Sequence, residues 1–244
     1  MPALIIPERY RSQPQRLTAV DARVLHAVNM ALGGPGRYVD SRNRAGLATV
    51  SGSDTLGRRF GEMGAYQTMH PGGGSSGCVG FYFPSSHVVN AGNFSAVCVV
   101  RQLGSFFGNN GALIGRGGGS DSIRSYLYNA TTARFSWIDN SPAQYDLNVT
   151  IPTVTAGSGW HRVGITKRGT TRTLAVLHAN GTLSYGTQTS GGATGRNDNT
   201  GWNWGTFSSA APHNDLAHFA VFADALSDDE LIAHLYDPYR IYRQ

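Results

Sequence analysis

The chain has 244 residues, of which only 14% are charged, and its formal net charge is +5. The basic residues are scattered and do not alternate with aromatic residues, which argues against a nucleic-acid-binding protein. No segment reaches the ~18 apolar residues of a membrane span, and the N-terminus lacks the pattern of a signal peptide, so we expect synthesis in the cytoplasm without membrane insertion.

The 32 glycines follow no Gly-X-Y period, which excludes a collagen-like fibre. They separate many short apolar runs, a pattern that is typical of all-β domains rich in turns. At this length the chain forms one large β domain or two small ones.

Residues 1–20 are predicted to form an extended arm. Three prolines restrict regular structure there, and the only apolar patch is formed by Leu4, Ile5 and Ile6. Such a patch on an arm has no core of its own, so we expect it to make assembly contacts with a neighbouring protein. The alternative is that the arm folds back on its own domain.

The apolar pattern after residue 20 predicts a series of strands. Residues 21–31 fit both helical spacing and strand alternation. Further strands are predicted, in chain order, at 79–84, 87–89, 93–101, 112–115, 125–128, 135–138, 160–167, 174–178, 202–207 and 216–222. Asn180-Gly181 predicts a tight turn after the strand at 174–178.

The last predicted strand is apolar on both faces. Ala220 and Phe222 alternate with Phe219 and Val221. A strand with two apolar faces is expected to be buried from both sides.

A short helix is predicted directly after that strand. Ser227 and Glu230 have the spacing of a capping box. The helix is expected to run to about Tyr236 and to end at Asp237-Pro238. Residues 237–244 are then assigned to a C-terminal tail.

Three segments resemble the laminin-G-like, concanavalin-A-like jelly-roll family. They are Trp160–Lys167 (WHRVGITK), Leu174–Gly181 (LAVLHANG) and Leu216–Ile232 (LAHFAVFADALSDDELI), the last of which contains the motif Ala225–Leu231 (ALSDDEL). The resemblance implies an all-β, two-sheet antiparallel jelly-roll sandwich over residues 21–236, with one short C-terminal helix and the extended N-terminal arm. It also favours a strand for the ambiguous segment at 21–31.

The whole chain is similar to phage virion proteins that carry this domain after a proline-rich start. The resemblance implies a non-enzymatic virion protein: a tail-tip, fibre or decoration module that contacts host-surface glycan or neighbouring virion proteins and is expected to be a homo-oligomer. One alternative is a structural capsid or tail cement protein without a ligand. The other is a carbohydrate-active enzyme, a glycoside hydrolase.

Hydrolases of this fold carry paired carboxylates on one strand, and this sequence has no such pair. Its three glutamates are far apart, and Asp139 and Asp146 are separated by a proline turn. A retaining hydrolase needs two carboxyl groups ~5–5.5 Å apart. We therefore expect no enzymatic activity.

The candidate ligand-binding residues lie near the last strands. Trp202 and Trp204 share one face of a strand; Trp204 is predicted to be a core residue, whereas Trp202 is either a core residue or a platform for sugar rings. Asn203 and the loop residues Asn197, Asp198 and Asn199 would supply hydrogen bonds.

Many relatives in this family bind calcium, and the same loop offers the oxygen atoms that Ca²⁺ requires. Asp198, Asn199 and Asp215 are the candidate ligands. The alternative is a turn rich in Asn and Asp without a metal. No other cofactor is expected.

The two cysteines, Cys78 and Cys98, are predicted to remain reduced thiols. Cys98 lies within an apolar run and is expected to be a small buried residue.

Overall fold

A computed structural model of the protein describes residues 21–29, 48–49, 57–60, 67–70, 81–82, 93–102, 113–116, 123–139, 143–155, 157–192, 202–204 and 214–242. Short alternating segments form two antiparallel sheets in these ranges, which confirms the predicted all-β sandwich. The predicted arm at 1–20, the strand at 87–89 and Cys78 lie outside the described residues.

The first sheet has eight strands. They are β1 (Val24–Asn29), β3 (Gly57–Phe60), β4 (Gln67–His70), β6 (Asn93–Gln102), β11 (Trp160–Arg168), β12 (Thr171–Leu177), β13 (Leu183–Thr189) and β15 (Asn214–Phe222). Their order is β13-β12-β11-β6-β15-β4-β3, and β1 pairs with β15 on the side opposite β6. The segment at 21–31, whose sequence fitted both a helix and a strand, thus contains the strand β1.

The second sheet has seven strands. They are β2 (Ala48–Thr49), β5 (Phe81–Tyr82), β7 (Ile114–Arg116), β8 (Ile123–Asn129), β9 (Thr132–Ile138), β10 (Gln144–Thr150) and β14 (Trp202–Trp204). Their order is β10-β9-β8-β7-β14-β5-β2. Strands β2, β3, β4, β10 and β13 were not predicted from the sequence.

The inner core fills the space between the two sheets. Its largest aromatic residues are Phe94, Phe135, Trp137, Trp202 and Trp204. The ring of Phe94 stacks on Trp137 at 5.9 Å and meets the ring of Trp202 edge-on at 5.1 Å. These contacts join the start of β6 to the end of β9 and to β14, so one aromatic cluster closes this end of the sandwich.

Strand β15 has two buried faces, as its sequence predicted. Phe219 and Val221 belong to the inner core. Ala220 and Phe222 belong to a second cluster, the outer core, on the opposite face of the first sheet. The two faces therefore contribute to different layers of the fold.

Helix α1 (Asp228–Tyr236) covers the outer core, and its predicted capping box is present. The hydroxyl of Ser227 accepts a hydrogen bond from the backbone N–H of Glu230 at 3.2 Å. The Glu230 carboxylate in turn accepts one from the backbone N–H of Ser227 at 2.9 Å. The helix ends at Asp237, as expected.

The segment assigned to a C-terminal tail packs on the domain as far as Tyr242. A 3-10 turn (Arg240–Tyr242) buries Ile241 and Tyr242 against the outer core. The apolar pair in this turn continues the cover that α1 begins. The sequence missed this contact because two apolar residues have no periodicity that predicts burial.

Cys98 lies in the inner core and forms no disulfide. Burial raises the pKa of its thiol well above the ordinary range, which keeps it protonated. The predicted burial of Cys98 is confirmed, and that both cysteines stay reduced remains a prediction.

Candidate functional site

The side of the second sheet that faces away from the inner core carries a group of polar and aromatic side chains on three neighbouring strands. Tyr126 and Ser136 are buried on this side, whereas Tyr128 and Asn148 are exposed. Ala133, Phe135 and Trp137 of β9 point into the inner core, so the alternate residues of β9 point outward. Strand pairing aligns Tyr126, Arg134 and Asn148 in one row and Ser136 with Asp146 in the next. We call Tyr126, Tyr128, Arg134, Ser136, Asp146 and Asn148 the polar face.

Arg134 lies at the centre of the polar face. Its guanidinium donates a hydrogen bond to Asn148 Oδ1 at 2.7 Å and forms an ion pair with Asp146 at 3.1 Å. The same group lies over the ring of Tyr128, 3.7 Å from its centroid. Burial opposes the charge, but the Tyr126 hydroxyl and Asp146 outweigh it and raise the pKa of Arg134. Arg134 is thus a fixed and neutralised cation that orients its neighbours.

Asp146 is held in a defined orientation. One of its carboxylate oxygens accepts hydrogen bonds from Ser136 Oγ at 2.7 Å and Gln144 Nε2 at 2.9 Å. The other oxygen contacts Arg134. A carboxylate has about four acceptor positions, so Asp146, which is partly exposed, can still accept a hydrogen bond from a ligand.

Tyr128 supplies an exposed ring beside these groups. Its exposed fraction is 40%, and the exposed side chains of Gln144 and Asn148 lie on the same surface. An aromatic plane can stack against the C–H face of a ring-shaped ligand, and amide and carboxylate groups can bind its hydroxyls. The polar face is therefore suited to a neutral polyhydroxylated ligand.

The two aspartates considered for hydrolysis lie on opposite faces of the second sheet. Asp146 belongs to the polar face, whereas Asp139 follows the inward-facing Trp137 in the alternation of β9. Asp139 is buried and accepts a hydrogen bond from the backbone N–H of Gly192 at 3.2 Å. These two carboxylates cannot act together on one glycosidic bond.

A cluster of buried charged residues lies between the two sheets near Asp139 and Gly192. Lys167 lies over the ring of Trp137, 4.2 Å from its centroid, and donates a hydrogen bond to Gly192 O at 3.2 Å. Arg172 donates to Tyr145 O at 2.9 Å and to Ser190 Oγ. Burial, together with Arg172, lowers the pKa of Lys167 to about 8.

This cluster fixes the chain at Gly192, directly before residues 193–201, which include the predicted ligand loop. The cations bind backbone carbonyl groups on both sides of the sandwich. We assign it a structural role at the base of that loop.

The structure corrects the prediction for Trp202. Its side chain is 0% exposed and belongs to the inner core, so it cannot stack on a sugar at the surface. Trp204 is also a core residue, as predicted. Their burial follows from alternation, because both face the aromatic cluster around Phe94.

The other predicted site residues are placed only in part. Asn203 pairs with Gly115 and Tyr82 near the middle of the second sheet. Asp215 lies in the first sheet, paired with Arg101. Asn197, Asp198, Asn199 and the arm residues Leu4, Ile5 and Ile6 lie outside the described residues. In the ranges that are described, no group of three or more His, Cys, Asp or Glu residues could hold a metal ion.

Sequence reasoning missed the polar face. The alternation of Tyr126 and Tyr128 with inward-facing residues was a usable signal, because it indicates an outward aromatic stripe. The partners Asp146 and Asn148 lie on β10, which has only two buried apolar residues and was not recognised as a strand.

Comparison of the fold with solved structures gives similar proteins over most of the chain. The receptor-binding domain of botulinum neurotoxin type G has 13% identity and a TM-score of 0.60, with 88% of this chain and 51% of that chain covered. The binding domain of botulinum neurotoxin DC in complex with SialylT has 14% identity and a TM-score of 0.60, with 88% of this chain and 51% of that chain covered. The fold is a two-sheet antiparallel jelly-roll sandwich.

The binding domain of Paraclostridial Mosquitocidal Protein 1 gives 14% identity and a TM-score of 0.59, with 89% of this jelly roll and 52% of that chain covered. The jelly roll thus spans about half the length of these structures. No protein-family model and no curated protein matches the sequence. Helix α1, in the described part of the chain, is too short and too polar to cross a membrane.

Proposed function

We propose that this jelly roll is a non-catalytic binding module and that its polar face recognises a neutral glycan. The observation that carries the proposal is the exposed ring of Tyr128, fixed by Arg134 and flanked by Asp146 and Asn148. A site whose groups are already oriented loses little conformational entropy on binding. Arg134, the cation at its centre, is paired with Asp146, so its charge is already balanced and a ligand carboxylate is not needed to balance it.

A single polar face of this size implies weak binding by each copy. Many copies that act together would convert weak binding into firm attachment. We therefore place the module in a repeated assembly. The setting that the sequence resemblance supports is a phage virion, as a tail-tip, fibre or decoration protein made in the host cytoplasm.

In that setting the arm residues Leu4, Ile5 and Ile6 would contact other virion proteins or further copies of the chain. Deletion of residues 1–12 should leave the melting temperature unchanged and reduce incorporation into the oligomer or particle. Full incorporation of the shortened protein would contradict this contact. A calcium ion at Asp198, Asn199 and Asp215 remains part of the proposal, and calorimetric titration with Ca²⁺ tests it directly.

Binding to immobilised polysaccharides tests the glycan proposal. The protein should be displayed in many copies on beads, and retention compared for the wild type and Tyr128→Ala. Loss of the ring should weaken binding by each copy about tenfold, which corresponds to ~1.4 kcal/mol per site, and retention of the many-copy beads should fall at least as much. Such a value is within the range of a stacking contact.

Tyr236→Ala is the matched control, because Tyr236 is 55% exposed and lies on α1, away from the second sheet. This variant should be retained like the wild type. Equal retention of Tyr128→Ala and the wild type, with both folded, would contradict the polar face as the site. Binding to no glycan in a broad panel would contradict the function itself.

A further inference from the structure

Two histidines are sealed between the first sheet and the segment that covers it. We call this segment, from Asp228 to Tyr242, the C-terminal clasp. We propose that the clasp is an acid-sensitive element that separates from the first sheet at mildly acidic pH while the sandwich stays folded.

His218 lies on β15, beneath the clasp. It is 0% exposed, and its ring lies 5.1 Å from the ring of Tyr239 and 5.9 Å from the ring of Tyr242. Within the described structure, neither ring nitrogen has a hydrogen-bond partner of good geometry. A charged imidazolium in this position would lose its hydration without a compensating contact.

His234 lies on the other side of the same interface. It projects from α1 onto the ring of Phe222, with 4.8 Å between the ring centroids. Its side chain is buried, and Nδ1 has no hydrogen-bond partner in the part of the chain described. Both the sheet and the clasp therefore contribute a buried neutral imidazole.

The charged groups around His234 do not compensate a positive charge. Asp21 and Glu230 favour protonation, whereas Arg23 and Arg240 oppose it. Arg23 forms ion pairs with both acids, at 3.1 Å to Asp21 and 2.8 Å to Glu230. Burial, reinforced by Arg240, lowers the pKa of His234 to about 4.

The surroundings of His218 act in the same direction. Burial is the main cause, and the neighbouring His234 adds to it; the backbone of Val28 gives a small opposing contribution. The pKa of His218 is lowered to about 3. The two histidines also repel each other once one of them is charged, so protonation of either favours opening.

The clasp can leave without loss of the inner core. The outer core is a separate cluster, in which Leu231, Leu235, Ile241 and Tyr242 come from the clasp. None of these residues belongs to the inner core, which contains the inward-facing residues of both sheets. Opening would expose Phe222 and the small apolar residues around it as a new apolar surface.

The size of the effect follows from the difference in histidine pKa between the closed and open states of the clasp. An exposed histidine has a pKa of ~6.5. At pH 5 each histidine therefore favours the open state by up to about 30-fold, and both together by up to about 1,000-fold. At pH 7.5 the same factors are close to one.

Hydrogen exchange of the full chain, followed by mass spectrometry, tests the proposal. Rates at pH 7.5 and pH 5.0 are corrected for the intrinsic pH dependence of exchange. Peptides within 228–242 should lose protection by two to three orders of magnitude at pH 5.0, whereas peptides of β11 and β12 should stay protected. Simultaneous loss of protection in clasp and strands would mean global unfolding and would overturn the proposal.

Variants identify the histidines responsible. The double variant His218→Phe/His234→Phe should keep the clasp protected at pH 5.0. If it does not fold, His234→Gln alone should reduce the pH-dependent change by up to about 30-fold. His161→Gln is the control, because His161 lies on the inner face of β11, and it should leave the opening of the clasp unchanged. Opening at the same pH in the His218/His234 variants would contradict the assignment.

Discussion

Replacement of Ser227 by alanine tests the junction between β15 and α1. Ser227 Oγ accepts a hydrogen bond from the N–H of Glu230 and lies 3.1 Å from its carboxylate. Alanine removes both contacts and leaves a helix N–H without its partner. Loss of a serine N-cap costs ~0.5–2 kcal/mol, and the exposure of this site favours a value near 1 kcal/mol.

The effect extends beyond the helix. Glu230 also accepts a hydrogen bond from Arg23 at 2.8 Å, so the cap helps to hold the segment before β1. For a domain of this size, ~1 kcal/mol lowers the melting temperature by ~2–4 °C. Urea denaturation and calorimetry should both detect this change.

Ser227→Thr is the matched control, because threonine keeps the hydroxyl acceptor. It should retain most of the stability that Ser227→Ala loses. The reasoning is refuted if the alanine variant has the wild-type midpoint, or if the threonine variant loses as much stability as the alanine variant.

Three further predictions follow from close packing and burial. Gly164→Ala should destabilise the protein by ~1–3 kcal/mol, measured by urea denaturation, because a Cβ atom would lie 2.9 Å from Leu231 Cδ1 and 3.1 Å from Leu235 Cδ2; an unchanged midpoint would mean that the helix adjusts freely. The thiol of Cys98 should react with an alkylating reagent only after unfolding, since it is fully buried; rapid labelling of Cys98 in the native protein, located by peptide mapping, would contradict this. Burial lowers the pKa of His161 to about 4, so the unfolded chain binds this proton first and stability falls as the pH drops from ~6.5 to ~4; His161→Gln should reduce that fall by ~2–3 kcal/mol in denaturation curves at several pH values.

The sequence predicted β15 and the start of α1 well, because strand alternation and helix capping depend only on residues that are close together in the sequence. Four residues with alternating faces and a capping box define β15 and the start of α1 without any knowledge of the rest of the chain. Burial of β15 on both faces then follows from composition alone, since no polar residue interrupts Phe219 to Phe222.

Edge strands were harder to predict, for a physical reason. In β13 no side chain is fully buried, and β10 buries only Leu147 and Val149. Because most side chains of these strands face solvent, polar residues are tolerated at nearly every position. The alternation of apolar and polar residues that marks a strand is therefore weak. Without β10, the partners of Arg134 on the polar face cannot be recognised from sequence.

Trp202 shows the limit of assigning function by residue type. An aromatic residue in a short strand near a polar loop fits a sugar platform and a core position equally well. Which face points inward depends on the register with β7 and β5, and that register depends on contacts between distant segments.

The position of β15 in the first sheet has a consequence for how the chain folds. This strand, close to the end of the sequence, pairs with β6 on one side and with β4 and β1 on the other. The centre of the sheet therefore cannot form until β15, which lies far along the sequence from these partners, has left the ribosome. Pairing between segments so far apart is slow, because a long loop must close before any contact stabilises it. The nascent chain consequently spends its synthesis with unpaired apolar strands, the condition under which chaperones protect a polypeptide from aggregation.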